Sequence, residues 1–291
     1  KSMKTILVTG ASGFIGSRLT KRLVKTGWNV LATALNPSVG LNAELGVSEV
    51  HNLDVLMPVS FTSHVPIDAI VHCATANDIL SRDFNAGINL SVIGTRNILE
   101  FAVHNGIPRL LFFSTLQVYG TELEGRIDES TPVRPETPYA LNHWLGEEVC
   151  RMYARNNKID IALLRPSNVY GIPDVSTVER DTLVPMCFVR DAITAGRLSL
   201  RSSGLQRRNF VSTDEVADAW LYLLDNFPAG CLPVNVGSGW HAKIIDIAEM
   251  VGSVYRDRTG MDLPIEVLSE LPAGSNLFTL GSSLEPMYVA R

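Results

Sequence analysis

Three glycines, Gly10, Gly13 and Gly16, follow the apolar run Ile6-Leu7-Val8-Thr9. They precede a helical pattern with apolar residues at Leu19, Leu23 and Val24. Strand, glycine turn and helix in that order are what a backbone phosphate cradle requires. Gly10 suits the tight turn, Gly13 lets backbone approach a pyrophosphate, and Gly16 lets the helix pack close to the strand. The helix start adds free N–H groups and the positive end of a dipole. The chemistry such a turn serves is anion binding.

The elements that must hold this turn repeat along the chain. Apolar strand patterns are expected at 29–34, 48–54, 69–74, 110–115 and 161–165, separated by helical stretches, the longest at 87–105. Strands alternating with helices at this spacing predict a parallel, right-handed sheet, with ligands at its carboxyl edge. The pattern loosens from Gly171. A strand and capped helix at 209–219 are expected to return to the sheet. The 291 residues carry a net charge of −5, 46% apolar content and no basic run, which argues against a nucleic-acid partner. No stretch has the length of a membrane span. Cys73, Cys150, Cys187 and Cys231 form no close pair, so they are read as reduced thiols of a cytoplasmic protein. His72, inside an apolar strand, is read as a hydrogen-bonded core residue, and no metal site is expected.

With Thr9 and the Gly13-Phe14-Ile15-Gly16 run, the turn resembles that of the extended short-chain dehydrogenase/reductase family, in its nucleotide-sugar epimerase, dehydratase and reductase branch. Three further stretches carry the resemblance. Ser114-Thr115-Leu116-Gln117-Val118-Tyr119-Gly120 resembles the family's catalytic strand end. Pro138-Tyr139-Ala140-Leu141-Asn142-His143 resembles the start of its catalytic helix, and Arg165-Pro166-Ser167-Asn168-Val169-Tyr170-Gly171 its substrate-side turn. The resemblance implies an α/β fold, a doubly wound parallel (Rossmann) sheet with a small substrate-binding cap. The dinucleotide-binding part is expected at 3–168 and 207–239, the substrate-binding part at 169–206 and 240–291. It also implies that the cofactor meets Gly10, Ser12, Gly13, Phe14, Ile15 and Gly16, then Asp54 and Val55, Cys73 and Ala74, and Pro166. Asn168 and Arg208 are implied to bind a substrate diphosphate, which a guanidinium suits by its bidentate geometry.

The chemistry implied is hydride transfer between a nicotinamide and a sugar carbonyl, matched by a proton at the same oxygen. Thr115, Tyr139 and His143 are the residues expected to carry it. The Tyr139 phenol, with a free pKa of about 10, needs a nearby cation to act as a base at neutral pH. The family places a lysine four residues on, whereas this chain has His143, which shares a helical face with Tyr139. Glu147, one turn further, is a candidate partner for that histidine. Dehydratase members carry an Asp-Glu pair after the catalytic threonine. Here Leu116 and Gln117 stand there, so water elimination is not expected.

Ala34 occupies the place of the acid that grips the adenosine ribose. Its absence favours NADP(H), with NAD as the alternative, and Arg18 and Lys21 are candidates to hold the 2′-phosphate. Ser91 departs from a family asparagine, and Pro272 and Ser275 depart from a second substrate motif around Gly274. The expected function is reduction of a nucleotide-linked 4-keto sugar. The alternatives are 4-epimerisation with tightly bound NAD, or a cofactor-binding sensor with weakened turnover. Leu141, Leu145 and Val149 form an apolar stripe consistent with a homodimer.

Overall fold

The structure is a computed structural model that describes residues 4–180, 182–268 and 278–283. The departures at Pro272, Gly274 and Ser275 lie outside the described residues. The strands are β1 (Thr5–Thr9), β2 (Asn29–Ala34), β3 (Val50–Asn52), β4 (Ala69–His72), β5 (Arg109–Phe113), β6 (Gly125–Ile127), β7 (Asp160–Pro166), β8 (Asn168–Tyr170), β9 (Leu198–Leu200), β10 (Arg207–Ser212), β11 (Cys231–Val236), β12 (His241–Lys243), β13 (Ile265–Val267) and β14 (Phe278–Leu280). Seven form one parallel sheet in the order β11-β7-β5-β4-β1-β2-β3. The order reverses between β1 and β4, which opens a crevice at their carboxyl ends.

Helices cover both faces, so β1 is buried from end to end. On one face lie α1 (Phe14–Lys25), the short α2 (Leu41–Leu45) and α7 (Thr213–Asp225), with Trp220 wholly buried against Phe113. The other face carries α4 (Thr95–His104) and α5 (Pro138–Asn156), with Ile98, Leu99 and Cys150 in its core. The long helix expected at 87–105 is a rod of three parts. An α-helical turn α3 (Phe84–Ile88) leads through a π-helical turn at Asn89–Gly94 into α4. Such a turn admits one extra residue and often marks a functional site. Here it brings Ser91 beside α5, where a Cβ on Gly146 would lie 3.0 Å from the Ser91 carbonyl oxygen.

The segment at 207–212 differs from expectation. β11 occupies the edge beside β7, so β10 pairs instead with β8 in parallel and β12 antiparallel, in a separate three-stranded sheet. The helix after it does return to the large sheet. Ser212 caps α7, and Glu215 reaches back to the Ser212 N–H. A smaller core of Phe188, Leu198, Phe210 and Ile247 joins β9 and β10 to α6 (Val184–Ala195) and α8 (Ile244–Thr259). This lobe closes the crevice from above. No described helix is long and apolar enough to cross a membrane.

Candidate active site

The glycine turn is built as its spacing requires. Gly10 has φ +69°, and a Cβ there would lie 2.9 Å from the Ala74 nitrogen. A Cβ on Gly16 would overlap the Gly10 carbonyl, so strand and helix approach as only glycine allows. Gly13 caps α1 without a side-chain hydrogen bond, leaving the first-turn N–H groups to an anion. Gly10, Gly13, Phe14, Ile15, Gly16 and Cys73 line a cavity of about 290 Å³ that runs to Tyr139 and His143. These residues fit the diphosphate and nicotinamide ends of a dinucleotide. Ser12, Asp54, Val55 and Ala74 lie outside that lining. Ser12 is half-buried in the turn, Asp54 accepts a bond from Leu56 N at 2.9 Å, and Val55 is buried against Gly94. Burial pushes the Cys73 thiol far up, so it is no nucleophile.

A second cavity of about 310 Å³ adjoins the first. The two share Phe14, Ile15, Phe113, Tyr139 and Arg180. Thr115, Gln117, Pro166, Ser167, Asn168 and Arg208 lie on the second side. β5 ends at Phe113, so Thr115 lies just past the sheet edge, where it caps a 3₁₀ turn at Leu116–Tyr119. Thr137 caps α5, and Pro138 occupies its first turn, which fixes Tyr139 one residue inside the helix. The Tyr139 phenol is raised above its ordinary pKa by burial. A hydrogen bond from Thr115 and the charge of Arg180 oppose that shift, while Asp78 adds to it. At neutral pH the phenol therefore carries its proton.

His143 stands one turn on, its ring 4.6 Å from that of Tyr139. Its nitrogens are directed elsewhere. Nδ1 lies 3.1 Å from the Phe113 carbonyl and Nε2 3.2 Å from the Ala76 carbonyl. Burial holds its pKa down at about 4, against the raising effects of those carbonyls and Glu147. The ring is neutral at pH 7 and carries a single N–H, so it donates to one of these two carbonyls and only lies beside the other. Anchoring a ribose, as expected of this position, would require giving up one of those contacts.

Glu147 does not pair with His143. It accepts Arg165 Nε at 2.9 Å and Nη2 at 2.6 Å, Ser114 Oγ at 2.5 Å and Arg151 Nη2 at 2.8 Å. Arg165 Nη1 donates onward to the Tyr119 hydroxyl at 2.7 Å, which donates to Asn235 at 2.9 Å. This buried network fixes the strand ends beneath the reacting groups. His72 is the core residue expected, with its nitrogens 2.7 Å from Thr9 Oγ1 and 3.2 Å from Thr95 Oγ1. Among the described residues no cluster of metal ligands is present.

On the substrate side, Asn168 Nδ2 donates to the Asn209 carbonyl at 2.9 Å. Arg208 donates to the Thr121 carbonyl at 3.3 Å, and no described carboxylate pairs with it. Burial lowers its pKa. A partly buried guanidinium without a counter-ion favours an anionic ligand. Leu116 is packed into a cluster with Ile127 and Phe278, while Gln117 faces the cavity. Neither side chain can exchange the protons that water elimination needs. Arg18 and Lys21 do not turn toward Ala34. Both bind Asp174, at 2.7 and 3.2 Å, so the clamp expected for a 2′-phosphate is engaged elsewhere. Asp78, Gln117, Ser167 and Arg180 were not singled out as site residues from the sequence. For Arg180 no local signal exists, since its place depends on how residues 171–180 cross the crevice.

The family model of NAD dependent epimerases/dehydratases matches residues 6–237. The chain belongs to that family of nucleotide-sugar enzymes. Two relatives show its range. A dTDP-L-rhamnose 4-epimerase of Burkholderia thailandensis is 28% identical, the match covering 87% of this chain and 81% of that protein. A dTDP-D-glucose 4,6-dehydratase of Mus musculus is 27% identical, over 84% of this chain and 71% of its own length. Among solved structures, a UDP-glucuronic acid 4-epimerase from Bacillus cereus, in complex with UDP-glucuronic acid and NAD, superposes with a TM-score of 0.76. It is 24% identical and covers 95% of this chain and 89% of that one. This likeness establishes the fold, a parallel Rossmann-type α/β sheet flanked by helices.

Proposed function

We propose that the protein reduces a nucleotide-linked 4-keto sugar at the junction of the two cavities. The observation that carries this reading is geometric: Tyr139 lines both cavities where they meet, Thr115 lies in the same lining, and a histidine ring rather than a lysine stands one turn on, 4.6 Å away. A bound nicotinamide dinucleotide, held by Gly10, Gly13 and the start of α1, would supply hydride to the carbonyl carbon. Tyr139 gives its proton to the carbonyl oxygen as negative charge builds there, and Thr115 steadies the phenolic oxygen. Arg208 and Asn168 hold the diphosphate, which places the sugar over Tyr139. Both NAD(H) and NADP(H) suit this reading. Ala34 presents no acid to repel a 2′-phosphate, yet Arg18 and Lys21 are committed to Asp174.

Epimerisation must begin with the reverse step, in which tyrosinate takes a proton from a sugar hydroxyl. Burial outweighs the Arg180 charge on Tyr139 and His143 adds none, which leaves that step short of base at pH 7. Single-turnover hydride transfer is therefore expected to run readily toward reduction near neutrality and toward oxidation only at higher pH. His143→Lys should move the oxidative profile down by about one pH unit, since a cation beside a phenol favours its charged form. Rapid oxidation of an alcohol sugar by the wild type at pH 7 would put epimerisation ahead.

Arg208→Ala tests the substrate side. Loss of a charge-assisted contact to phosphate costs about 1.5–3 kcal/mol, hence a tenfold or greater rise in the substrate Kd. Cofactor affinity should stay level. Calorimetric titration with a nucleoside diphosphate reads the first quantity and titration with NAD(H) the second, and an unchanged diphosphate Kd would remove Arg208 from the site.

A further inference from the structure

The segment after β8 crosses the crevice as a built strap. Asp174 is held by Arg18 and Lys21 of α1, and Ser176 N donates to Glu44 of α2 at 2.8 Å. Val175 is buried, and Val178 packs on the same core. Val178, Glu179 and Arg180 of this strap line the glycine-turn cavity together with Tyr139. The Arg180 side chain is 18% exposed and lies with its guanidinium 5.8 Å from the centre of the Phe14 ring. Nη1 binds Asp78, from the loop after β4, at 3.0 Å. Its Nε is buried without a hydrogen-bond partner among the described residues.

The groups around Tyr139 can be taken element by element. His143, on the same helix, is neutral and donates its one N–H to a backbone carbonyl. Thr115 from the end of β5 is uncharged, and Cys73 after β4 is a thiol. Asp78 and Glu179 are acids, and Arg208 stands across the second cavity among the residues that meet the substrate. Arg180 is the cation that lines both cavities together with Tyr139.

We propose that Arg180, carried on this strap and steered by Asp78, is a positioning residue that supplies through space the positive charge on Tyr139 which position 143 lacks. The inference rests on the reading of Tyr139 as the proton donor. When Tyr139 gives up its proton it becomes tyrosinate, and a guanidinium lining the same two cavities stabilises that form. The strap thus strengthens the acid at the moment of transfer. Burial and the Asp78 carboxylate keep the phenol protonated beforehand. A cation delivered from a loop also depends on the strap's seating, unlike one fixed on the tyrosine's own helix.

The test reads Tyr139 directly, without turnover. A fluorinated tyrosine placed at 139 in the full chain brings the titration into a range where the fold is intact, and ¹⁹F resonance follows it. Arg180→Gln should raise that pKa by about one unit, a tenfold weaker acid, and Arg180→Lys should restore at least half of the shift. Circular dichroism and the denaturant midpoint confirm that each variant is folded. A titration unmoved in folded Arg180→Gln, or a shift that lysine does not rescue, overturns the proposal. If Arg180 moves the titration but the wild type reduces no keto sugar, the reductase reading fails and the assignment of Arg180 stands.

Discussion

Tyr139→Phe is expected to slow single-turnover reduction by about 10²–10⁴-fold, the range for losing a positioned acid, while leaving cofactor affinity unchanged. The expectation follows from what the substitution removes. Phenylalanine keeps the ring, its edge contact with His143 at 4.6 Å and its place at the junction of the cavities. It removes only the hydroxyl that Thr115 holds. No other group stands ready to replace it. His143 is neutral with its one N–H facing a backbone carbonyl, Cys73 is held protonated by burial, and Thr115 is an alcohol. The alkoxide formed by hydride transfer would then draw a proton from water. Comparison of single-turnover rates at saturating cofactor and substrate separates this effect from binding. A loss of less than tenfold would mean that the proton comes from elsewhere, and Tyr139 would lose its role.

Local rules carried the turn, because a glycine turn is a local object. The same holds for the strand–helix alternation and for the start of α5, where Thr137 and Pro138 act over four residues. The pairing of Tyr139 with Thr115 followed from motif order. What escaped depends on contacts distant in sequence. His143 and Glu147 share a helical face, but Glu147 is claimed by Arg165 from β7 and Ser114 from the end of β5. Helical spacing is silent about such competitors. Arg18 and Lys21 were turned away from the adenosine side by Asp174, about 150 residues along the chain in both cases. Arg180 is the extreme case. Its charge was visible, but its position exists only once α1, α2 and the loop after β4 have trapped the strap. The Leu141, Leu145 and Val149 stripe shows the same limit from the other side. These three are half-buried, while Asn142, His143 and Glu147 take the sheet-facing side of α5. That polar inner face is what a catalytic helix needs, and Val149 of the stripe packs on the core beneath α5.

The polar inner face also predicts the largest effect on stability. Glu147 is buried with Arg165, itself 1% exposed, and Glu147→Ala would leave that guanidinium deep in the fold with no carboxylate. Breaking a buried pair from one side costs about 3–5 kcal/mol, so a large drop in the denaturant midpoint is expected. Arg151 cannot compensate, since it is a second cation at the same carboxylate. Replacing both partners, Glu147→Met with Arg165→Met, removes the stranded charge and should recover most of the loss. The acid side gives an independent reading of the same pair. Burial alone would raise the Glu147 pKa, but the bonds and charge of Arg165, with Ser114 and Arg151, outweigh it and hold the carboxyl below its ordinary value. A depressed folded-state pKa contributes stability above the unfolded value, and that contribution is lost as pH falls through the folded value. Wild-type stability should therefore decline from about pH 4.5 downward, and the double variant should show a flatter profile over that window. Denaturant titrations at several pH values read both effects. Equal slopes in the two proteins, or a single variant as stable as the wild type, would show that the Glu147–Arg165 pair is not what holds the strand ends beneath Thr115 and Tyr139.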